Sequence, residues 1–130
     1  MKYSLHLSDK VNPQTDVTIF ELLINDKNLF EKFCKKVLKD GNLKNELSKT
    51  MAIIEQASSG YLLPAKKHNK INTGSATFQI FEAKAKILRV YYFIDEKNGN
   101  VIIIGGKKGN QKQDIEFVTK TVKEYFDERE

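Results

Sequence analysis

Residues 88–106 read LRVYYFIDEKNGNVIIIGG. The runs on either side of Asn98-Gly99 are rich in aromatic and β-branched residues, which are typical of strands. An Asn-Gly pair between two such runs is a strong β-hairpin signal, because both residues tolerate the backbone of a two-residue turn. This stretch therefore predicts two antiparallel strands. Val101–Ile104 is apolar at every position and is expected to be a buried central strand ending at Gly105-Gly106.

The first of these strands alternates two sets of side chains. One face carries Leu88, Val90, Tyr92 and Ile94, and the other carries Ile87, Arg89, Tyr91 and Phe93. One face of an antiparallel sheet often remains in water. If helices cover the Leu88 face, Arg89 and Tyr91 lie on an open face of the sheet.

The chain beside the hairpin supplies further elements. Thr77–Ala83 has the composition of a strand. A closing helix is indicated by apolar residues at helical spacing: Ile115, Val118, Val122 and Phe126. Together with the hairpin, these elements predict three meandering strands followed by a helix.

The N-terminal half begins with a strand at residues 3–7, where apolar and polar residues alternate. Residues 8–16 are predicted to be a loop, and Val17–Ile24, a short apolar run, a helical turn. Residues 61–74, which contain a proline, a glycine and the run KKHNK, are also predicted to be a loop.

Two helices are predicted between these segments. Asp26 is expected to cap the first, which Gly41 ends. Asn42 is expected to cap the second, which ends before Gly60. The predicted order is β-α-α-β-β-β-α, an α+β domain spanning residues 1–130 with helices packed on one face of a small antiparallel sheet.

Composition limits the function. The chain of 130 residues carries a net charge of +5 and a single cysteine, Cys34. Residues 66–112 hold ten basic and three acidic side chains, whereas the rest of the chain holds 12 basic and 14 acidic ones. The positive charge therefore belongs to one segment and indicates an anionic partner such as a nucleic acid. We expect no disulfide, metal or cofactor, no membrane segment, and a cytoplasmic location.

Arg89 and the loop after the last strand are the candidates for chemistry. A guanidinium on an open sheet face suits bidentate contact with phosphate, and Tyr91 suits stacking on a base. Exposed strand faces also carry Arg and Tyr without any function. The loop GGKKGNQK, residues 105–112, lacks the spacing of a nucleotide-binding P-loop but places Lys107 and Lys108 at a strand end. Because the two strands are adjacent, Arg89 and these lysines are expected to converge.

The run Lys66–Lys70 forms a second basic cluster. Such a cluster can bind a nucleic acid, because its cations release counterions from the phosphates. A run of this kind is more often a solvated loop without a ligand. His68 has an ordinary pKa near 6.5, which suits proton transfer.

The stretch FQIFEAKAKILRVYYF, residues 78–93, resembles RelE/HigB-like toxins of the RelE/ParE superfamily, as do VIIIGGKK and the following QKQDIEFV. These toxins belong to type II toxin–antitoxin systems, and the resemblance covers residues 61–130. It implies a ribosome-dependent mRNA endoribonuclease that uses the ribose 2′-OH as nucleophile, acts on mRNA in the ribosome and is neutralised by a cognate antitoxin protein.

The resemblance also implies site residues. Arg89, Lys107 and Lys108 correspond to the catalytic cations, which stabilise charge on the scissile phosphate. The candidate RNA-binding residues are Lys84, Lys86, Tyr91, Lys112, Lys67 and His68. Two alternatives remain: a ParE-like inhibitor that binds gyrase without catalysis, and a basic RNA-binding module. The absence of a histidine near the C-terminus, where some relatives hold a proton-transfer group, favours the gyrase inhibitor.

Overall fold

The computed structural model describes residues 2–74 and 77–129. Its strands are β1 Tyr3–Leu7, β2 Ile19–Ile24, β3 Lys27–Asn28, β4 His68–Lys70, β5 Ile80–Ala85, β6 Leu88–Asp95 and β7 Gly99–Lys107. Its helices are α1 Leu29–Asp40, α2 Lys44–Ser58 and α3 Gln111–Arg129, with a 3₁₀ turn at Lys108–Asn110. The α+β class is confirmed, but the predicted order β-α-α-β-β-β-α is wrong because it lacks three strands: β2, β3 and β4.

The strands form one mixed sheet in the order β1-β2-β7-β6-β5-β4, with β3 also paired to β2. The predicted hairpin is confirmed, since Asp95 of β6 pairs with Gly99 of β7. Strand β7 lies at the centre of the sheet, as its uninterrupted apolar run predicted. The expectation of a purely antiparallel sheet is wrong, because β2 runs parallel to β7.

The prediction of a helical turn at Val17–Ile24 is wrong. Ile19–Ile24 is strand β2, which pairs with β1 on one edge and with β7 on the other. A short apolar run fits a buried strand or a helix equally well, and only the pairing partners distinguish them. Those partners lie at opposite ends of the sequence.

The predicted helix caps are displaced by one or two residues. Asn28, not Asp26, caps α1, and its side chain accepts a hydrogen bond of 2.9 Å from the backbone N–H of Glu31. Asp26 lies in the tight β2–β3 turn with a φ of +65°. Leu43, rather than Asn42, occupies the cap position of α2 and makes no side-chain cap bond. Gly41 ends α1 in the left-handed conformation as predicted.

The segment predicted as a loop at residues 61–74 contains an edge strand. His68–Lys70 forms β4, which pairs antiparallel with residues 81–83 of β5. Polar composition concealed this strand, because an edge strand needs backbone pairing on one side only and tolerates charged side chains.

Helices cover both faces of the sheet, which corrects the prediction of helices on one face. Helices α1 and α2 pack against the face that holds Leu88, Val90 and Tyr92. Helix α3 packs against the opposite face, where Tyr91 and Phe93 lie. The sheet is therefore a central layer between two hydrophobic cores.

Gly105 and Gly106 allow α1 and α3 to approach β7 from opposite sides. A methyl group at Gly105 would overlap the ring of Phe33 on α1. A methyl group at Gly106 would overlap the carboxylate of Asp114 on α3. The double glycine thus serves helix packing, and the lysines that follow it lie beyond the packed region.

Gly105→Ala is expected to lower the free energy of unfolding by about 1–3 kcal/mol, because the added methyl group must displace the aromatic ring of Phe33. Gly109→Ala is the matched control, since a methyl group there would meet no atom within 4 Å. It should stay within about 0.5 kcal/mol of wild type. Urea denaturation of both variants measures the difference. Equal stability of the two would contradict the close packing of α1 on β7.

Candidate functional site

Arg89 and Tyr91 lie on the face of the sheet that α3 covers. Arg89 is 7% exposed and Tyr91 is fully buried. The prediction that they occupy an open face is wrong, because the prediction had no helix for that side. The alternation itself is correct: the two side chains do point away from Leu88 and Val90.

The Arg89 guanidinium is held by the protein itself. Its Nη1 donates hydrogen bonds of 2.7 and 2.8 Å to the backbone carbonyls of Lys86 and Leu88. Its Nε lies 3.9 Å from Oε2 of Glu82, a buried carboxylate on the neighbouring strand. The side-chain amide of Gln111, at the start of α3, donates a hydrogen bond of 2.6 Å to the same Glu82 oxygen. The first turn of α3 is thereby tied over Arg89.

These groups belong to a larger polar cluster between the sheet and α3. The polar cluster consists of Asn69, Glu82, Arg89, Tyr91, Gln111 and Asp114. Cross-strand pairing aligns Asn69 with Glu82 and Glu82 with Tyr91, so their side chains share the α3 face. Asp114 reaches it from α3 beside Gly106, the cross-strand partner of Arg89.

The polar cluster contains unsatisfied polar atoms. Among the described residues, four buried side-chain atoms have no hydrogen-bond partner: Asn69 Oδ1, Arg89 Nε, Tyr91 Oη and Asp114 Oδ2. All four belong to the cluster. Such atoms are uncommon in native proteins and are found where water or function compensates for them. Burial raises the pKa of Asp114, and burial together with Glu82 raises the pKa of Tyr91.

Lys107 lies on the opposite face of the sheet from Arg89. Arg89 pairs with Gly106, and the next residue, Lys107, points to the other side, where it borders α1. Lys108 is exposed in the 3₁₀ turn that follows. The expected convergence of Arg89 with these lysines does not occur in this structure. Arg89 shares a face with its partner Gly106, and Lys107, the next residue of β7, points to the opposite face.

A second group of predicted residues does come together. The cleft between α2 and the β5–β6 turn measures about 430 Å³. Five lysines line it: Lys49, Lys66, Lys67, Lys84 and Lys86. No carboxylate is among the residues that line it. We call this surface the lysine cleft, and it contains three of the predicted RNA-binding residues.

A second cleft, whose lining is partly apolar and includes the carboxylate of Glu55, adjoins the lysine cleft along α2. The two share Ala52 and Gln56, and the second cleft is lined by Tyr61 and Leu62. Tyr61 is 68% exposed and Leu62 is 100% exposed. An exposed aromatic ring therefore lies next to a concentration of positive charge, which is the combination that single-stranded nucleic acids bind.

The remaining predicted residues are spread out. His68 is half-buried, its Nε2 lies 2.7 Å from the hydroxyl oxygen of Tyr92, and its ring stacks on Phe81. Burial, with a contribution from the charge of Lys84, lowers the pKa of His68. The imidazole is therefore neutral at neutral pH. Lys112 is exposed in the first turn of α3, on neither cleft.

Sequence reasoning missed the partners of these residues. Lys49 was overlooked because it lies on α2, outside the basic segment 66–112. Asp114 was overlooked because it lies in the polar run QKQDIE at the start of α3. Glu82 was overlooked because it is a single carboxylate within the apolar run IFEA of β5. That isolation was the available signal, since a carboxylate at an inward position of a strand needs a buried partner.

Comparison with protein-family models, with curated proteins and with solved structures finds no match to this chain. Within residues 2–74 and 77–129, no helix is long and apolar enough to cross a membrane. The same residues contain no group of three His, Cys, Asp or Glu side chains placed to hold a metal ion.

Arg89→Met is expected to lower the free energy of unfolding by about 3–5 kcal/mol, because it leaves the buried Glu82 carboxylate without its cation. The double variant Arg89→Met/Glu82→Gln should recover part of this loss, since no uncompensated charge remains. Lys112→Ala, a charge removal at the exposed start of α3, should stay within about 0.5 kcal/mol of wild type. A denaturant series measures all three. A double variant no more stable than Arg89→Met would contradict the coupling.

Stability is also expected to fall on acidification through His68. Its pKa in the folded state lies below the ordinary value, so the unfolded chain takes up the proton first. The stabilisation is complete above about pH 6.5 and is lost as the pH falls below that value. Between about pH 7.5 and pH 5.5, wild type should lose more unfolding free energy than His68→Phe. His6→Gln, which removes the exposed histidine of β1, should keep the wild-type loss; identical profiles for wild type and His68→Phe would refute the assignment.

Proposed function

We propose that this protein is an RNA-binding toxin of the RelE/HigB type, with the lysine cleft as its RNA-binding surface. The observation that carries the proposal is the convergence of five lysines from α2, the loop before β4, strand β5 and the β5–β6 turn. No family model matches the chain. The support for the toxin assignment is therefore the set of sequence motifs within residues 78–118.

The convergence of the five lysines has an electrostatic cost. Lysines that share a cleft repel one another. Among the residues that the structure describes, Lys86 alone of the five has a carboxylate partner within 4 Å, Glu46 at 3.3 Å. A polyanion relieves the repulsion and releases counterions. Tyr61 in the adjoining cleft offers a stacking surface for an unpaired base. The surface therefore favours single-stranded RNA.

The proposed reaction is cleavage of mRNA at the ribosome. The ribose 2′-oxygen attacks the adjacent phosphorus, the bond to the 5′-oxygen breaks, and the proton of the 2′-OH passes to a base while the leaving oxygen gains one. Lys107 and Lys108 are exposed and free to stabilise charge on the phosphate. Arg89 requires the first turn of α3 to move before it contacts a phosphate, because Gln111 and Glu82 enclose it.

A cognate antitoxin and a cytoplasmic location belong to the same proposal. A toxin with a lysine-lined RNA surface is silenced most directly by an acidic segment that occupies the same lysines.

One observation favours a second candidate, a basic RNA-binding module without catalysis. Arg89 is enclosed, and Lys107 lies on the opposite face of the sheet. The three proposed catalytic cations are therefore not assembled around one point. The lysine cleft serves RNA binding equally well in both candidates.

The binding assay uses a fluorescently labelled single-stranded RNA of about 12 nucleotides. Lys67→Ala/Lys84→Ala should weaken binding and lower the slope of log K against log salt by about 1.4, about 0.7 for each lost phosphate contact. Lys120→Ala/Lys123→Ala removes the same charge from exposed positions of α3 and is the matched control. Equal loss in the two double variants would show that only net charge matters and would contradict the assignment of the cleft.

Expression in a bacterial host separates the candidates. A toxin should arrest growth with cleaved transcripts, and Lys107→Ala/Lys108→Ala should abolish both effects without changing the unfolding midpoint. Arrest with intact transcripts and DNA damage would contradict the nuclease and favour gyrase inhibition. RNA binding without arrest would favour the non-catalytic module.

A further inference from the structure

A separate cleft of about 580 Å³ lies between the C-terminal half of α1 and the end of β7. It is on the α1 face of the sheet and shares no lining residue with the lysine cleft. Its floor is apolar and consists of Phe33, Val37 and Leu43. We call it the α1 cleft.

The floor of the α1 cleft offers an apolar surface. Val37 is buried, whereas Phe33 and Leu43 are partly exposed. The Phe33 ring lies directly against the backbone of Gly105, which holds it in place. A planar ring that packs on this floor would bury apolar area without displacing a side chain.

Four polar side chains border this floor: Lys36, Asp40, Lys107 and Asn110. Within the described part of the chain, none of the four makes a side-chain hydrogen bond or ion pair. Lys36 and Asp40 lie four residues apart on α1, the spacing at which such residues commonly pair, yet they are not paired. Two cations, a carboxylate and an amide are therefore available to a ligand.

From this arrangement we infer that the α1 cleft binds a nucleotide, that is, a nucleobase carrying a phosphate. The base packs on Phe33 and Leu43. Asp40 accepts hydrogen bonds from base amino or ribose hydroxyl groups, and the Asn110 amide both donates and accepts. This combination of an apolar floor with a few polar groups is typical of small-molecule sites.

Charge sets the orientation of the nucleotide. Asn110 immediately precedes α3, and Lys107 ends β7 three residues earlier. The N-terminal end of α3 favours an anion, so the phosphate lies at that end of the cleft. Asp40 is at the C-terminal end of α1, where a carboxylate and the helix dipole both disfavour a phosphate. The base therefore lies towards Asp40. A free nucleotide and the terminal nucleotide of an RNA strand present the same chemistry to this site.

Isothermal titration calorimetry of the full-length protein with AMP, GMP, CMP and UMP tests the inference. At least one of these nucleotides should bind, and Lys36→Ala and Asp40→Ala should each weaken it by about 10- to 100-fold, the loss expected for a hydrogen bond to a charged group. Lys39→Ala is the matched control, because Lys39 is exposed on α1 but does not line the cleft. Failure of all four nucleotides to bind, or an equal loss in Lys39→Ala, would overturn the inference.

Two further titrations distinguish a free nucleotide from an RNA end as the ligand, and distinguish binding in the α1 cleft from binding in the lysine cleft. A short RNA with a 5′-phosphate that binds more weakly to Lys36→Ala identifies an RNA end as the ligand, whereas dependence on Lys36 for mononucleotides alone identifies a free nucleotide; both support the site. Lys67→Ala/Lys84→Ala should leave mononucleotide binding unchanged. If that double variant weakens mononucleotides as strongly as Lys36→Ala does, the α1 cleft is not the site.

Discussion

Strand β7 carries a helix on each face because Gly105 and Gly106 contribute no side chain where those helices approach. Phe33 of α1 occupies the space on one side, and Asp114 of α3 occupies it on the other. Consecutive residues of a strand point in opposite directions, so two adjacent glycines open both faces at the same level. The position of α3 then determines the environment of Arg89, and the position of α1 determines that of Lys107. The polar cluster around Arg89 and the α1 cleft both depend on this packing.

The sheet also separates the charged groups by function. On the α3 face, Arg89 neutralises a buried glutamate and is enclosed by protein groups. At the end of the sheet beside α2, five lysines line one cleft, and among the described residues they belong to no buried ion pair. A buried ion pair and an exposed lysine cleft have different consequences, since the first is costly to break and the second attracts anions over a distance. The positive segment of the sequence therefore contains both a structural cation and candidate ligand-binding cations.

Local pattern predicted the elements whose partners are close in sequence. The β6–β7 hairpin, the central strand and the closing helix follow from turn chemistry and periodicity alone. Strands β2 and β4 were not predicted, because β2 depends on pairing with β7 some eighty residues away and β4 depends on one-sided pairing with β5. Caps were displaced by one or two residues, because Asp26 and Asn28 are both suitable capping residues and the β2–β3 turn decides between them.

The sequence by itself determined that Arg89 and Tyr91 share a face of a strand, that Lys107 lies at the end of the central strand, and that positive charge is concentrated in residues 66–112. Only the tertiary structure decided that α3 buries Arg89, that Lys49 of α2 joins the lysines of the β5–β6 turn, and that Lys107 borders α1. The physical reason is that alternation along a strand is a local property of the backbone. Which element covers each face depends on packing between residues far apart in the chain.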